Sequence, residues 1–274
     1  MKKGINAWCF PDGWDANTLI TKSKELGFTG IELNLEEKEN AIFTMESNEE
    51  EVRRIVEIAD KHDIKIFSIS TDMLWKYPLT SEIEETRQKG MDIVEKMIEI
   101  ASQCNAKTVL VVPGVVTEVV TYDVAYKRAM EALKKLSISA AERKVHIGIE
   151  NVWNKFLLSP LETADFIKQI NSPYVGAYLD IGNVVYTGYP SQWIDILSDK
   201  IVSVHIKDFK GSVGNIDGFA PLLAGDIDWE NISNTLQSNN YKGYIAPEIP
   251  PHPHHSELLL KATSEIMDRL FQFD

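Results

Sequence analysis

Apolar and polar positions alternate between two textures along the chain. Short runs rich in β-branched and other apolar residues fall at Lys3–Trp8, Gly30–Asn34, Ile64–Ser70, Thr108–Pro113, Val145–Glu150, Val175–Asp180, Ile201–Asp208 and Tyr244–Ile249. Between them lie longer segments in which apolar residues recur every three or four positions, such as "SNEEEVRRIVEIADKHD" and "GMDIVEKMIEIASQCN"; that spacing predicts amphipathic helices. A last such segment, "SELLLKATSEIMDRLFQF", begins at Ser256, an expected helix cap. Nearly continuous apolar strands belong in a parallel sheet whose outer face is covered by helices. Eight strand–helix units without a linker or compositional break predict a (β/α)8 barrel, one domain over residues 1–274. An open doubly wound sheet would carry a glycine-rich phosphate turn after an early strand, where this chain has "WCFPDGW".

Composition narrows the function classes. The 274 residues hold 28 Lys and Arg against 41 Asp and Glu, a formal charge of −13. That balance argues against a nucleic-acid partner, since such binding rests on cations that meet phosphates, but it leaves room for a small phosphorylated substrate. Two isolated cysteines, Cys9 and Cys104, show no metal-binding spacing and read as reduced thiols of a cytoplasmic protein. "MKKGINAWCF" lacks the apolar core of a signal peptide. No apolar stretch approaches the ~20 residues of a membrane span.

The barrel expectation turns position into function, because active sites of this fold lie at the C-terminal ends of the strands. Polar residues there are Glu32 and Asn34 on the second strand, Ser70 and Asp72 on the third, and Glu150 and Asn151 on the fifth. Asp180 ends the sixth, His205, Lys207 and Asp208 end the seventh, and Glu248 ends the eighth. Glu150, Asp180, His205 and Glu248 come from four successive strands and converge on the axis of a closed barrel. Three carboxylates in one pocket repel unless a cation neutralises them. Three acids with one imidazole suit one divalent ion, Mn²⁺ first, with Zn²⁺, Co²⁺ or Mg²⁺ as alternatives.

These residues sit in stretches that carry a resemblance. "IGIENVWNKFLLSP", "YLDIGNV", "VSVHIKDFKG", "LLAGDIDW" and "YIAPEIP" resemble the sugar-phosphate isomerase/epimerase superfamily of xylose isomerase-like barrels. Within it they look most like the ketose 3-epimerases, including L-ribulose and L-xylulose 5-phosphate 3-epimerases often labelled hexulose-6-phosphate isomerase. The resemblance implies that Glu150, Asp180, His205 and Glu248 hold one divalent metal and that Glu150 and Glu248 are also the acid/base pair. It implies a homodimer or homotetramer as well. Such chemistry removes the proton beside a ketone and returns it on the opposite face, through an enediolate that the metal stabilises. Aldose–ketose isomerases use the same enediolate, and an inositol-type dehydratase or a hydroxypyruvate-type isomerase on the same barrel is the alternative reading. An endonuclease IV-like enzyme would need more histidines and a basic groove, and a non-catalytic sugar-binding protein would not need both glutamates.

Further residues are candidates for substrate. Asn183 stands three after Asp180, where free-sugar ketose 3-epimerases usually have histidine; "DIGN" resembles the D-x-G-N form of the pentulose-phosphate enzymes and favours a phosphorylated sugar. Lys207, two after His205, faces inward by strand alternation and either holds a substrate oxygen or phosphate or pairs with a barrel acid such as Asp228. Asp208 is expected to cap or orient neighbours, the His205 ring among them. Glu32 either touches substrate or pairs with a buried lysine. Asn151 and Asn154 could bond sugar hydroxyls, and Trp153 could wall the pocket. Trp75 and Lys76, with Tyr77, lie on a loop at the catalytic face, where an aromatic can stack on a sugar and a lysine can reach a phosphate. The glycine-rich "GSVGNIDGFAPLLAGDIDW" offers Ser212, Gly214 and Asn215 as anion donors, but no arginine lies between His205 and Trp229. His252, His254 and His255 have no metal-site spacing and are expected on a solvated loop.

Overall fold

The structure, a computed structural model, describes residues 1–274. Eight parallel strands close into a barrel: β1 (Lys2–Asn6), β2 (Gly30–Asn34), β3 (Lys65–Ser70), β4 (Thr108–Val111), β5 (His146–Glu150), β6 (Val175–Asp180), β7 (Ile201–Ile206) and β10 (Tyr244–Pro247), which pairs back onto β1. Two short segments, β8 (Asp208–Phe209) and β9 (Phe219–Ala220), form an antiparallel ribbon over the C-terminal mouth. The expected barrel is therefore the observed one.

Each strand can be nearly all apolar because both its faces are covered. One side chain set fills the barrel, and the other meets the ring of helices in a continuous core that includes Ile31, Leu33, Ile69, Val109, Ile147, Leu179, Val204 and Ile245. The helices form where the pattern placed them. In Glu49–Lys61, Asn48 and Glu51 make a reciprocal capping box, three acids occupy the first turn, and Val52, Ile55 and Ala59 are buried. No helix is long and apolar enough to cross a membrane.

Boundaries differ from the sequence reading for local reasons. Strand β4 stops at Val111, short of Pro113, which has no N–H to continue a ladder. Strand β7 stops at Ile206, and Asp208 pairs with Ala220 in the ribbon instead. The C-terminal helix begins at Ser256, but its cap position is His255 and no side chain caps it; the Ser256 hydroxyl donates to the His252 carbonyl. At the barrel floor Phe67 and Tyr244 stack with ring centroids 4.2 Å apart. They fill the space left by Gly4 and Gly30, where a Cβ would lie 2.6 Å from Phe67 and 2.5 Å from Tyr244. With the floor filled, the opposite end carries the large cavity.

Candidate active site and metal centre

Strands β5, β6, β7 and the residue just past β10 deliver Glu150, Asp180, His205 and Glu248 to one place, with a ligand atom of each within 4.8 Å of all the others. Parallel pairing sets the level: Asp180 lies beside His205 across β6 and β7, and the Glu248 amide donates to the Ile206 carbonyl at 3.1 Å. The set is buried except for Glu248, which is partly open to the cavity.

His205 is the most informative member. Its Nε2 lies 2.8 Å from Glu32 Oε1, whereas Nδ1 is buried with no hydrogen-bond partner. That nitrogen faces Glu150 Oε1 at 3.8 Å and Glu248 Oε1 at 3.9 Å. Once it gives up its proton, an unpartnered imidazole nitrogen among three carboxylates is a ready donor to a cation, and Glu32 on the far nitrogen orients the ring as metal-bound histidines require. The donor set therefore fits a divalent ion.

The ends of β5 and β6 are tied by a closed set of bonds. Asn151 donates to the Asp180 carbonyl at 2.9 Å and accepts the Asp180 amide at 2.8 Å. Asn183 donates to the Asn151 carbonyl at 3.0 Å, and its own amide donates to Asp180 Oδ1 at 2.7 Å. Gly182 is required here, because a Cβ would stand 2.5 Å from Lys207 Cγ and 2.7 Å from the Lys207 carbonyl. Asp180 Oδ2 accepts from the Lys207 ammonium at 2.5 Å, and the same ammonium donates to Glu248.

The electrostatics follow from this crowding. Burial, together with the Glu248 and Asp180 charges, pushes Glu150 up to about 7 against the pull of His205. Burial acts on Glu248 in the same sense, but Lys207 and His205 outweigh it and hold that carboxyl below its ordinary value. Burial opposes charge on His205, yet Glu32, Glu150 and Glu248 raise it well above the usual imidazole range.

Above the quartet lies a cavity of about 970 Å³ lined by Glu150, Asn183, Lys207, Glu248 and Asp72, with Trp8, Trp75, Trp153 and Phe219 among its walls. Trp153 is held by a 3.0 Å bond to the Asn183 carbonyl and packs against Tyr186, Phe209 and Phe219. Trp75 is thus placed on the cavity, as is Asn183 at its edge. The other substrate candidates are placed differently. Lys76 points away and pairs with Glu37 at 2.7 Å, as does Lys89 at 2.9 Å, so this loop lysine does not face the cavity. Asn154 is buried and spends its amide on the Gly114 carbonyl and the Phe156 amide, leaving no surface for a sugar. Glu32 has no exposed surface, so the substrate contact expected of it gives way to a place beneath His205; it accepts from Asn6, from the Tyr178 hydroxyl and from His205. Lys207 pairs with Asp180 and Glu248 rather than Asp228. Asp208 does not reach the His205 ring; it accepts four N–H groups of the segment that follows β7. Ser212 and Gly214 are exposed, and Asn215 accepts from the Asp217 amide. His252, His254 and His255 are exposed and outside the quartet.

Two supporting residues were not singled out in the sequence, Asn6 and Tyr178. Tyr178 carried a usable signal, since it precedes Asp180 by two on β6 and must share its inward face.

The model of the xylose isomerase-like TIM barrel family matches residues 20–270. The chain belongs to that family. Among curated proteins, the L-ribulose-5-phosphate 3-epimerase UlaE of Salmonella heidelberg (strain SL476) is 24% identical over 250 residues, covering 88% of this chain and 84% of that protein. Among solved structures, a D-tagatose 3-epimerase-like protein superposes with a TM-score of 0.84 at 19% identity, covering 98% of this chain and 97% of the other. D-psicose 3-epimerase from Clostridium cellulolyticum H10, solved with D-tagatose, gives a TM-score of 0.82 at 13% identity over 99% and 100% of the two chains. At those identities the structural likeness establishes the fold. Within the family, this chain's cluster of three carboxylates and an imidazole is a site that could hold a metal ion.

Proposed function

We propose that the protein is a divalent-metal-dependent 3-epimerase of a small ketose or ketose phosphate. The observation that carries this reading is the quartet of Glu150, Asp180, His205 and Glu248, with the unpartnered His205 Nδ1, opening onto a cavity at the C-terminal face of the barrel. The names of the curated relative and of the structural neighbours support the reaction class.

A bound divalent ion, Mn²⁺ first by the oxygen-rich donor set, would supply Lewis-acid stabilisation to the negative charge that develops beside a ketone. The remaining work falls to the chain. Glu150 and Glu248 come from strands three places apart in the barrel and can flank a substrate carbon. One carboxylate takes the proton from C3, and the other returns a proton to the opposite face. Trp8, Trp75, Trp153 and Phe219 supply the cavity's apolar walls and restrict water around the reacting carbon.

The curated relative's name and the D-x-G-N form of "DIGN" support a phosphorylated substrate. One observation favours a second reading, a neutral ketose: Lys207 is the only cation lining the cavity and its ammonium is engaged by two carboxylates. Incubation in D₂O with pentuloses, hexuloses and their phosphates tests both. Deuterium entering C3 is the expected result, and the substrate that exchanges fastest decides between the two readings. No exchange at C3 in any of them, with Mn²⁺ or Co²⁺ present, overturns the epimerase reading.

A further inference from the structure

The Lys207 ammonium occupies a place where a cation is needed. It donates to Asp180 Oδ2 at 2.5 Å and to Glu248 Oε2, so it touches two of the four metal-ligand candidates. Both Asp180 oxygens are engaged, since Oδ1 accepts the Asn183 amide. Lys207 is buried, and its ammonium sits 5.1 Å above the Phe219 ring at the cavity wall. We infer that Lys207 is a built-in counterion that stands in for the divalent ion in the metal-free protein and is exchanged for it on loading. The inference rests on the proposed metal site and adds to it a means of setting metal affinity and of switching one side chain between two roles.

The argument is one of charge and space. Glu150, Asp180 and Glu248 converge within a few ångströms, and such a group is unstable without a cation. Lys207 supplies one positive charge from within the chain. A divalent ion held by these side chains would lie a few ångströms from the ammonium, since Lys207 touches Asp180 Oδ2 and the second oxygen of Glu248, and two cations that close in a buried site repel strongly. The ammonium must then leave Asp180 and Glu248. Its four-carbon stem is flexible, and Gly182 closes off movement toward the β6 turn, because it packs against Lys207 Cγ and the Lys207 carbonyl. The open direction is the cavity, which Lys207 already lines. Metal loading thus releases into the substrate cavity the one cation that borders it.

Metal affinity of Lys207→Met, measured by titration of the metal-stripped protein with Mn²⁺ and with Zn²⁺, tests the exchange. Methionine keeps an unbranched apolar stem and removes the charge. Affinity at least tenfold tighter than wild type is expected, with a metal-free melting temperature below that of metal-free wild type. Equal or weaker affinity overturns the inference while leaving the metal site intact. Binding by neither protein overturns both. Should the variant fail to fold, the wild type decides through amine labelling of Lys207, read by peptide mass spectrometry. Labelling should rise severalfold when the metal is added, and an unchanged or lower yield refutes the exchange.

Discussion

Replacing Asp208 by asparagine should destabilise the protein severely, although it changes a single atom type. Asp208 is fully buried. Its Oδ1 accepts the amides of Phe209 at 2.8 Å and Ile227 at 3.2 Å, and its Oδ2 accepts the Leu223 amide at 2.9 Å and the Trp229 indole at 3.0 Å. All four partners are donors. Whichever way the asparagine amide turns, its NH₂ faces two of them. Two bonds to a charged acceptor are lost, at about 1.5–3 kcal/mol each, and either orientation strands one donor of a buried residue, Phe209 or Trp229. The cost is therefore about 3–6 kcal/mol, a large part of the ~5–15 kcal/mol that stabilises a typical domain. Gly225 closes the escape route, because a Cβ there would stand 2.2 Å from Asp208 Oδ1, so the segment is packed against the carboxylate and has little room to shift. Urea denaturation followed by circular dichroism measures the loss, which should appear as a lower midpoint at unchanged slope. Asp208→Asn within about 1 kcal/mol of wild type would show that these four bonds do not hold the segment. Activity should fall as well, since Phe219, Ala220 and Pro221 of that segment wall the cavity.

Three further outcomes are expected. Glu248→Gln should lower C3 exchange by roughly 10²–10⁴-fold, the usual contribution of a general base, with the circular dichroism spectrum retained; a fully active variant refutes the acid/base assignment. Glu32→Gln removes the charge that orients His205 and should weaken divalent-ion binding by roughly 10–100-fold, and unchanged affinity by titration would separate Glu32 from the metal site. Burial pushes the thiols of Cys9 and Cys104 up to about 12, so a chromogenic disulfide reagent at pH 8 should find neither in the native protein and both in guanidinium. Reactivity of the native thiols should rise only as the pH climbs toward 12, and rapid reaction at pH 8 contradicts their burial.

The barrel and the quartet were legible in the chain for one reason: each strand announces itself as an apolar run, and the fold makes the end of each run the active face. Depth within the barrel was not legible. Glu32 and Asp180 are both strand acids that point inward, but Asp180 ends β6 whereas Leu33 and Asn34 follow Glu32 on β2. Glu32 therefore lies a layer lower and meets His205 instead of the cavity. Lys76 was misplaced by a local effect. The segment Met73–Lys76 is one turn of helix, which rotates successive side chains by roughly 100°, so Trp75 can face the cavity while Lys76 meets Glu37. That ion pair joins residues 39 positions apart, a separation that no local pattern reports. Asn154 went astray because its neighbours gave no sign that the Gly114 carbonyl would be left for it to satisfy.

These misplacements share a direction. Sequence position assigned polar residues to substrate, whereas the structure spends several of them on holding the quartet and the loops around it. Asn6 and the Tyr178 hydroxyl hold Glu32, Glu32 holds one face of His205, and His205 presents its free nitrogen upward. Asn151 and Asn183 fix the turn that carries Asp180, and Asp208 fixes the wall opposite. A site that could hold a cation among three acids has to keep those acids in place without one, against their mutual repulsion. Rigid support beneath and beside the quartet does that mechanically, and Lys207 does it with charge. On the proposed function, the polar layer under His205 serves the reaction by fixing where the His205 nitrogen stands.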